Sequence, residues 1–321
     1  MRSYKTAKWV AILAGLFFLM GFYAAEATAK ETYEEKFEKT VSLAKDGKIT
    51  LENITGSIDI KSWNKGEVKI DATKISRAST LDKAIENAGL VRIEVEKEGN
   101  TLRIKTEYPD RGKIWRRRSL NVSVKYSLMI PAKASAKINS VTGNVDLEKI
   151  GGAIKVNIVT GGIVVKKADK GVDCETVTGK INLQNITGDA FMETVTGRIT
   201  ASQIKGSIKA NVVTGRIELK EVSEASVVDA NTVTGSVIYD GKINRNGRYT
   251  LNTHSGRIEM SLPADSGFDL EAETFSGRIE SDFEIKMSGK ISKKRISGVV
   301  NKGGPLVKLS TFSGNVYLKK K

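Results

Sequence analysis

The chain has 321 residues, 40% of them hydrophobic and 28% charged, enough apolar material for a packed core and too much for a disordered polymer. Its 52 lysines and arginines outnumber 37 acids, for a net charge of +15, so acidic partners are favoured and basic ones disfavoured. Thirty glycines, four prolines and many Val, Ile and Thr point to strands joined by tight turns, an all-β chain.

Residues 1–29 read as an export signal. Arg2, Lys5 and Lys8 precede an uncharged run from Trp9 to Ala25, and Ala25-Glu26-Ala27 or Ala27-Thr28-Ala29 supplies a small-x-small cleavage site. The alternative is an uncleaved anchor, because about 17 residues is the lower limit of a membrane span. No later run approaches that length, so no integral span is expected after cleavage. Removing this segment leaves a net charge of +13. The one cysteine, Cys174, is not at the cleavage site, which excludes lipidation there and any internal disulfide. It falls at an inward position and should be inert.

Residues 30–135 form an N-terminal β-rich region. Val41, Leu43, Ile49, Leu51, Ile58 and Ile60 alternate around Asp46-Gly47 and Asn53-Ile54-Thr55-Gly56. A short helix is expected over about 79–89: Ser79 or Thr80 caps it, Leu81, Ala84, Ile85 and Ala88 share a face, and Gly89 ends it. A hairpin follows, turning at Glu98-Gly99-Asn100. The loop 109–119 then concentrates Arg111, Lys113, Arg116, Arg117 and Arg118 around Trp115. It is either a solvated basic loop or a contact for an anionic headgroup, glycan or phosphate with Trp115 as its apolar foot.

From residue 136 to 321 a nine-residue repeat governs the chain. Glycines fall at Gly179, Gly188, Gly197, Gly206 and Gly215, and every second unit reads Val-Thr-Gly. With Val141 taken as inward, units starting at 141, 150, 159 and onward to 213 place apolar residues or glycine at every inward slot except Lys170. Two units make one coil, so a two-faced parallel β-solenoid of about 18–21 residues per coil is predicted, with the N-terminal region capping one end. Beyond Leu219 the glycine spacing lengthens through Gly235, Gly256, Gly277 and Gly298, and Phe275 and Phe312 at the valine position suggest a widening core.

Val-Thr-Gly-x-Ile, Phe275 to Ser281, Leu309 to Val316 and the upstream Leu128 to Pro131 together resemble the putative-adhesin β-strand-repeat domain of bacterial exported proteins, a domain of unknown function. The resemblance spans nearly the whole mature chain and implies surface adhesion. It brings no catalytic residues and no cofactor, because the matching motifs are structural glycines and aliphatics.

The residues offer little chemistry of their own. Lys180, Arg198, Arg216, Arg257 and Arg278 follow the repeat glycine where a calcium-binding roll would carry aspartates, so calcium is not expected. They form a cationic ladder, compensated by acids such as Glu218, Glu259 and Glu280 or, around Lys180 and Arg198, open to a polyanion. Thr142, Thr160, Thr178 and their successors form a hydroxyl column. The only histidine, His254, occupies a valine position and has no partner set for catalysis; carboxylates are scattered. The expectation is a non-enzymatic, exported envelope module, periplasmic, outer-membrane-associated or extracellular, acting in adhesion or binding. The alternatives are a periplasmic assembly factor and a binder of lipopolysaccharide or acidic glycan. Envelope proteins are further candidate partners, and specific nucleic-acid recognition is not expected. The ending Lys319-Lys320-Lys321 argues against a barrel and against wall anchoring. Departures from the repeat, including Trp115, Lys170 and Phe191, are where a site is sought.

Overall fold

The computed structural model describes residues 30–109, 120–223, 225–287, 292 and 294–321. The expected export signal and the Arg111, Lys113, Trp115, Arg116, Arg117 and Arg118 cluster lie outside the described residues.

The strand Val172–Thr187 shows how one coil is made. Val172, Cys174 and Thr176 are buried while Asp173 and Glu175 alternate outward; Gly179 bends the strand, and Ile181, Leu183 and Ile186 then point into the same core. Neighbouring coils pair in parallel with a constant offset. Ser135–Thr142 lies on Ile154–Thr160, that on Val172–Thr187, and the stack continues through Ala190–Lys205 to Ile208–Val222, with Val172 opposite Ala190 and Ala190 opposite Ile208. The offset is 18 residues, so each coil contributes one strand to each of two sheets about 4.8 Å per coil deep, with Val, Ile and Leu layered between them. At Val227–Gly241 and Arg248–Ser255 the offset grows to 20 and 21, as the glycine spacing implied.

The two corners differ. At one, glycines stack so closely that a Cβ on Gly197 would sit 1.7 Å from the Gly179 carbonyl oxygen. At the other, Lys149, Lys167, Asn185, Gln203 and Glu221 recur every 18 residues with φ between 50 and 66°. This left-handed residue absorbs the odd step needed to bring Ile150, Ala168, Ile186 and Ile204 inward.

Sequential stacking stops at both ends. The coil Lys48–Thr55 and Ile58–Trp63 is inserted between Ser135–Thr142 with Val145–Ile150 on one side and Thr101–Glu107 with Val122–Pro131 on the other. At the far end the last coil, Leu306–Ser313 and Val316–Lys320, is inserted between Arg248–Ser255 with Ile258–Leu262 and Phe268–Ser276 with Ile279–Ser281. Antiparallel strands cover the flanks: Glu31–Ser42 on Glu67–Ala78, Arg92–Glu98 on Thr101–Glu107, and Arg295–Val300 on Phe268–Ser276. The expected helix forms at Leu81–Gly89, capped by the Thr80 hydroxyl, which accepts from the Lys83 N–H at 3.4 Å.

The facing of the motif valine is a correction. Val141, Val159, Val177, Val195 and Val213 are not inward; each is 43–46% exposed, and Val233 is 49% exposed. Alternation counted back from Val145 fails because the glycine bend carries both Val and Thr around the outside of the corner. The inward place is taken one residue earlier, by Thr176, Thr194, Val212 or Thr232. For the same reason Phe275 (65% exposed) and Phe312 (49%) do not widen the core. The structural hydroxyl ladder is also displaced: Thr253, Thr274 and Thr311 donate to the carbonyls of Gly235, Gly314 and Gly256 at 3.2, 2.9 and 3.1 Å, whereas Thr142, Thr160 and Thr178 face solvent.

Candidate binding groove

Because coils are in register, side chains 18 residues apart form outward columns. On the first sheet one column runs Thr50, Lys137, Lys155, Asp173, Phe191, Lys209, Asp229. From Lys137 to Asp229 its side chains, with Lys48 and Asp189, line an open groove of about 840 Å³. Small residues, Ala136, Ala153, Gly171 and Ala190, at or next to the strand starts, leave room for it.

Charge in the groove is mixed and partly internally matched. Lys155 Nζ bonds Asp173 Oδ2 at 2.5 Å and lies 3.8 Å from Glu175; the Asp173 hydrogen bond holds the Lys155 ammonium above its ordinary range. Asp229 accepts from Asn231 at 2.8 Å, and Asp189 accepts the Ser207 N–H at 2.9 Å. Lys48 and Lys137 make no ion pair among the described residues. Phe191, half-buried, is the one aromatic in the column, with the Lys209 ammonium 5.5 Å from its ring centre. The groove can therefore offer two free cations, a cation resting on a ring, and hydrogen-bonding acids.

Sequence reasoning singled out Phe191 but not the lysines around it. The signal was available: 137, 155, 173, 191 and 209 are separated by the coil period. Lys170, the other irregularity, is an exposed corner residue.

The cationic ladder is only partly assembled. Lys180, Arg198 and Arg216 are consecutive, but Ser236 separates them from Arg257, and the inserted last coil places Asn315 between Arg257 and Arg278. Arg216 pairs with Glu218 at 3.1 Å, whereas Glu259 is held by Lys319 at 2.7 Å. Lys180 and Arg198 make no ion pair among the described residues. His254 is exposed and stacks on Phe312 at 4.9 Å, with Phe275 on the far side of that ring at 4.8 Å. Among the described residues, no three His, Cys, Asp or Glu side chains gather as a metal site would require, and no helix is long and apolar enough to cross a membrane.

The model of the Toastrack DUF4097 family matches residues 48–319, from the first inserted coil to the last. The chain belongs to that family. Three solved structures are similar to this Toastrack chain. A putative cell adhesion protein from Clostridium sporogenes ATCC 15579 is 13% identical, covering 90% of this chain and 100% of that one with a TM-score of 0.29. A putative adhesin from Bacteroides fragilis NCTC 9343 is 12% identical over 88% and 96%, TM-score 0.40. A putative lipid binding protein from Parabacteroides distasonis ATCC 8503 is 14% identical over 88% and 96%, TM-score 0.45. Comparison with curated proteins returns no match.

Proposed function

We propose that this Toastrack protein is an exported, non-enzymatic binding module of the bacterial envelope that holds a segment of anionic polysaccharide along the groove of its first sheet. The observation that supports the reading is the column Lys137, Lys155, Asp173, Phe191 and Lys209, in which three cations and a ring stand in register at the coil spacing and the intervening Asp173 is matched by Lys155. A sugar chain is a linear polymer whose residues are about one coil long, so successive units meet successive coils. Its acidic groups pair with Lys48 and Lys137, and an apolar sugar face rests on Phe191. Adhesion is the cellular role this binding would serve.

The test is titration of a sulfated heparin oligosaccharide into wild type and into the triple variant Lys137→Ala, Lys155→Ala, Lys209→Ala. The reading expects salt-sensitive binding that falls at least tenfold in the variant. Unchanged affinity in that variant, with loss in Arg116→Ala, Arg117→Ala, Arg118→Ala, would move binding to the basic loop and reject the groove. Fractionation of cells should find the protein in the periplasm, outer membrane or medium; a cytoplasmic pool would reject export.

A further inference from the structure

The corner that carries Val-Thr-Gly exposes one side chain per coil, apolar in every coil of the row but that of His254. In stacking order the row begins at Ile54, continues through six valines from Val141 to Val233, and ends in the stacked rings of His254, Phe312 and Phe275. Ten coils at about 4.8 Å make an unbroken file at the corner roughly 40 Å long. Neighbouring valines shield one another's flanks, yet each keeps nearly half its surface in water. A continuous apolar strip of this length is unusual on a surface without a partner.

The flanks restrict what can cover it. Three residues beyond Val177, Val195 and Val213, Lys180, Arg198 and Arg216 stand beside the middle of the row, and Arg257 and Arg278 beside its aromatic end; the equivalents at Val141, Val159 and Val233 are Asn144, Gly162 and Ser236. On the other flank amides pair with each other, as Asn231 does with Asn211 at 3.2 Å; Glu175 lies within 3.8 Å of Lys155 and Glu273 is bound by Arg295 at 2.8 Å. Two exposed acids on that flank, Glu52 beside Ile54 and Glu193 beside Val195, make no ion pair among the described residues. Against them stand Lys180, Arg198, Arg257 and Arg278, Arg216 being paired with Glu218, so free charge along the ridge is mainly positive. A second copy would set these cations against their equivalents, and a single file of side chains falls short of the ~800 Å² per partner of a stable dimer. Strand addition is not available, since the inner coils are hydrogen-bonded on both sides. A broad, deformable, anionic surface meets all three features: length, apolar crest and cationic flank.

We infer that this ridge is a membrane-contact edge, lying along the surface of an anionic lipid bilayer with its valines and phenylalanines at the headgroup boundary and its arginines on phosphates. The site is separate from the groove, which opens on the first sheet.

The experiment uses Val195→Cys in the full chain, labelled with an environment-sensitive fluorophore. Cys174 is fully buried with its thiol pushed far up by burial, so only the new cysteine reacts. Gln184→Cys, exposed near the opposite corner, is the control. With vesicles of three parts phosphatidylcholine to one of phosphatidylglycerol, the Val195 label should shift to the blue and the Gln184 label should not. Val177→Ser, Val195→Ser, Val213→Ser, which leaves buried positions untouched, should lower vesicle partitioning about tenfold without lowering the melting temperature. No shift at Val195, an equal shift at Gln184, or unchanged partitioning of the serine variant would each overturn the inference. Heparin binding by the serine variant should be unaffected, so failure of the ridge and failure of the groove read out separately.

Discussion

Replacing Gly197 by alanine isolates the contact that sets the coil spacing. Its backbone is extended, so an L-residue carries no conformational penalty there, and the objection is purely steric. The new Cβ would lie 1.7 Å from the Gly179 oxygen and 2.8 Å from its carbon, more than an ångström inside the closest approach such atoms make. The obstacle is backbone, not a flexible side chain, so the coils must separate. Around the bend that stretches two or three interstrand hydrogen bonds, each contributing about 0.5–1.5 kcal/mol net, and opens the packing beneath Ile199. A loss of about 2–5 kcal/mol follows, which at about 2–4 °C per kcal/mol lowers the melting temperature by roughly 4–20 °C. Gly66→Ala, whose Cβ would meet nothing nearer than the Leu43 oxygen at 3.6 Å, is the matched control. Circular dichroism melts of the two variants decide the matter. If Gly197→Ala melts within 2 °C of wild type, the glycine contact does not set the spacing.

The inner threonines separate bonded from unbonded hydroxyls: Thr274→Val, losing a 2.9 Å bond to Gly314, should cost about 1 kcal/mol. Thr194→Val, whose buried hydroxyl has no partner, should be neutral or stabilising in urea denaturation; the reverse order would refute the ladder. Two carboxylates should show opposite pH dependence. Burial and Asp59 raise Asp146, so its native pKa lies above the unfolded one and it destabilises the fold once pH exceeds that range; Asp146→Asn should raise the melting temperature at pH 7 and match wild type near pH 3. Glu218 is opposed by burial but held down overall by Arg216 and Lys220, so it stabilises above the unfolded pKa and the benefit fades as pH falls; Glu218→Gln should be less stable at pH 7 and converge in acid. Deleting 306–321 tests the insertion: proteolysis should degrade everything from Phe268 onward, because the removed coil lies between Arg248–Ser255 and Phe268–Ser276, whereas trimming of the end alone would contradict this coil order.

The sequence by itself determined the period, the corner glycines, the in-and-out pattern within each strand, and the family. These depend on local rules: alternation along a strand, and the bar to any Cβ where two backbones touch. Applied at 18 residues, the same rules would also have assembled Lys137, Lys155, Phe191 and Lys209, since register converts sequence distance into a column. The tertiary structure alone decided which way Val177 and its equivalents face, because alternation holds only while the strand is straight, and a glycine corner turns two consecutive side chains outward. It also decided the coil order. Nothing local distinguishes Leu306–Ser313 from any other strand; it lies inside the stack because both its edges find partners there, between Arg248–Ser255 and Phe268–Ser276, and the choice among identical-looking edges is made by the whole sheet.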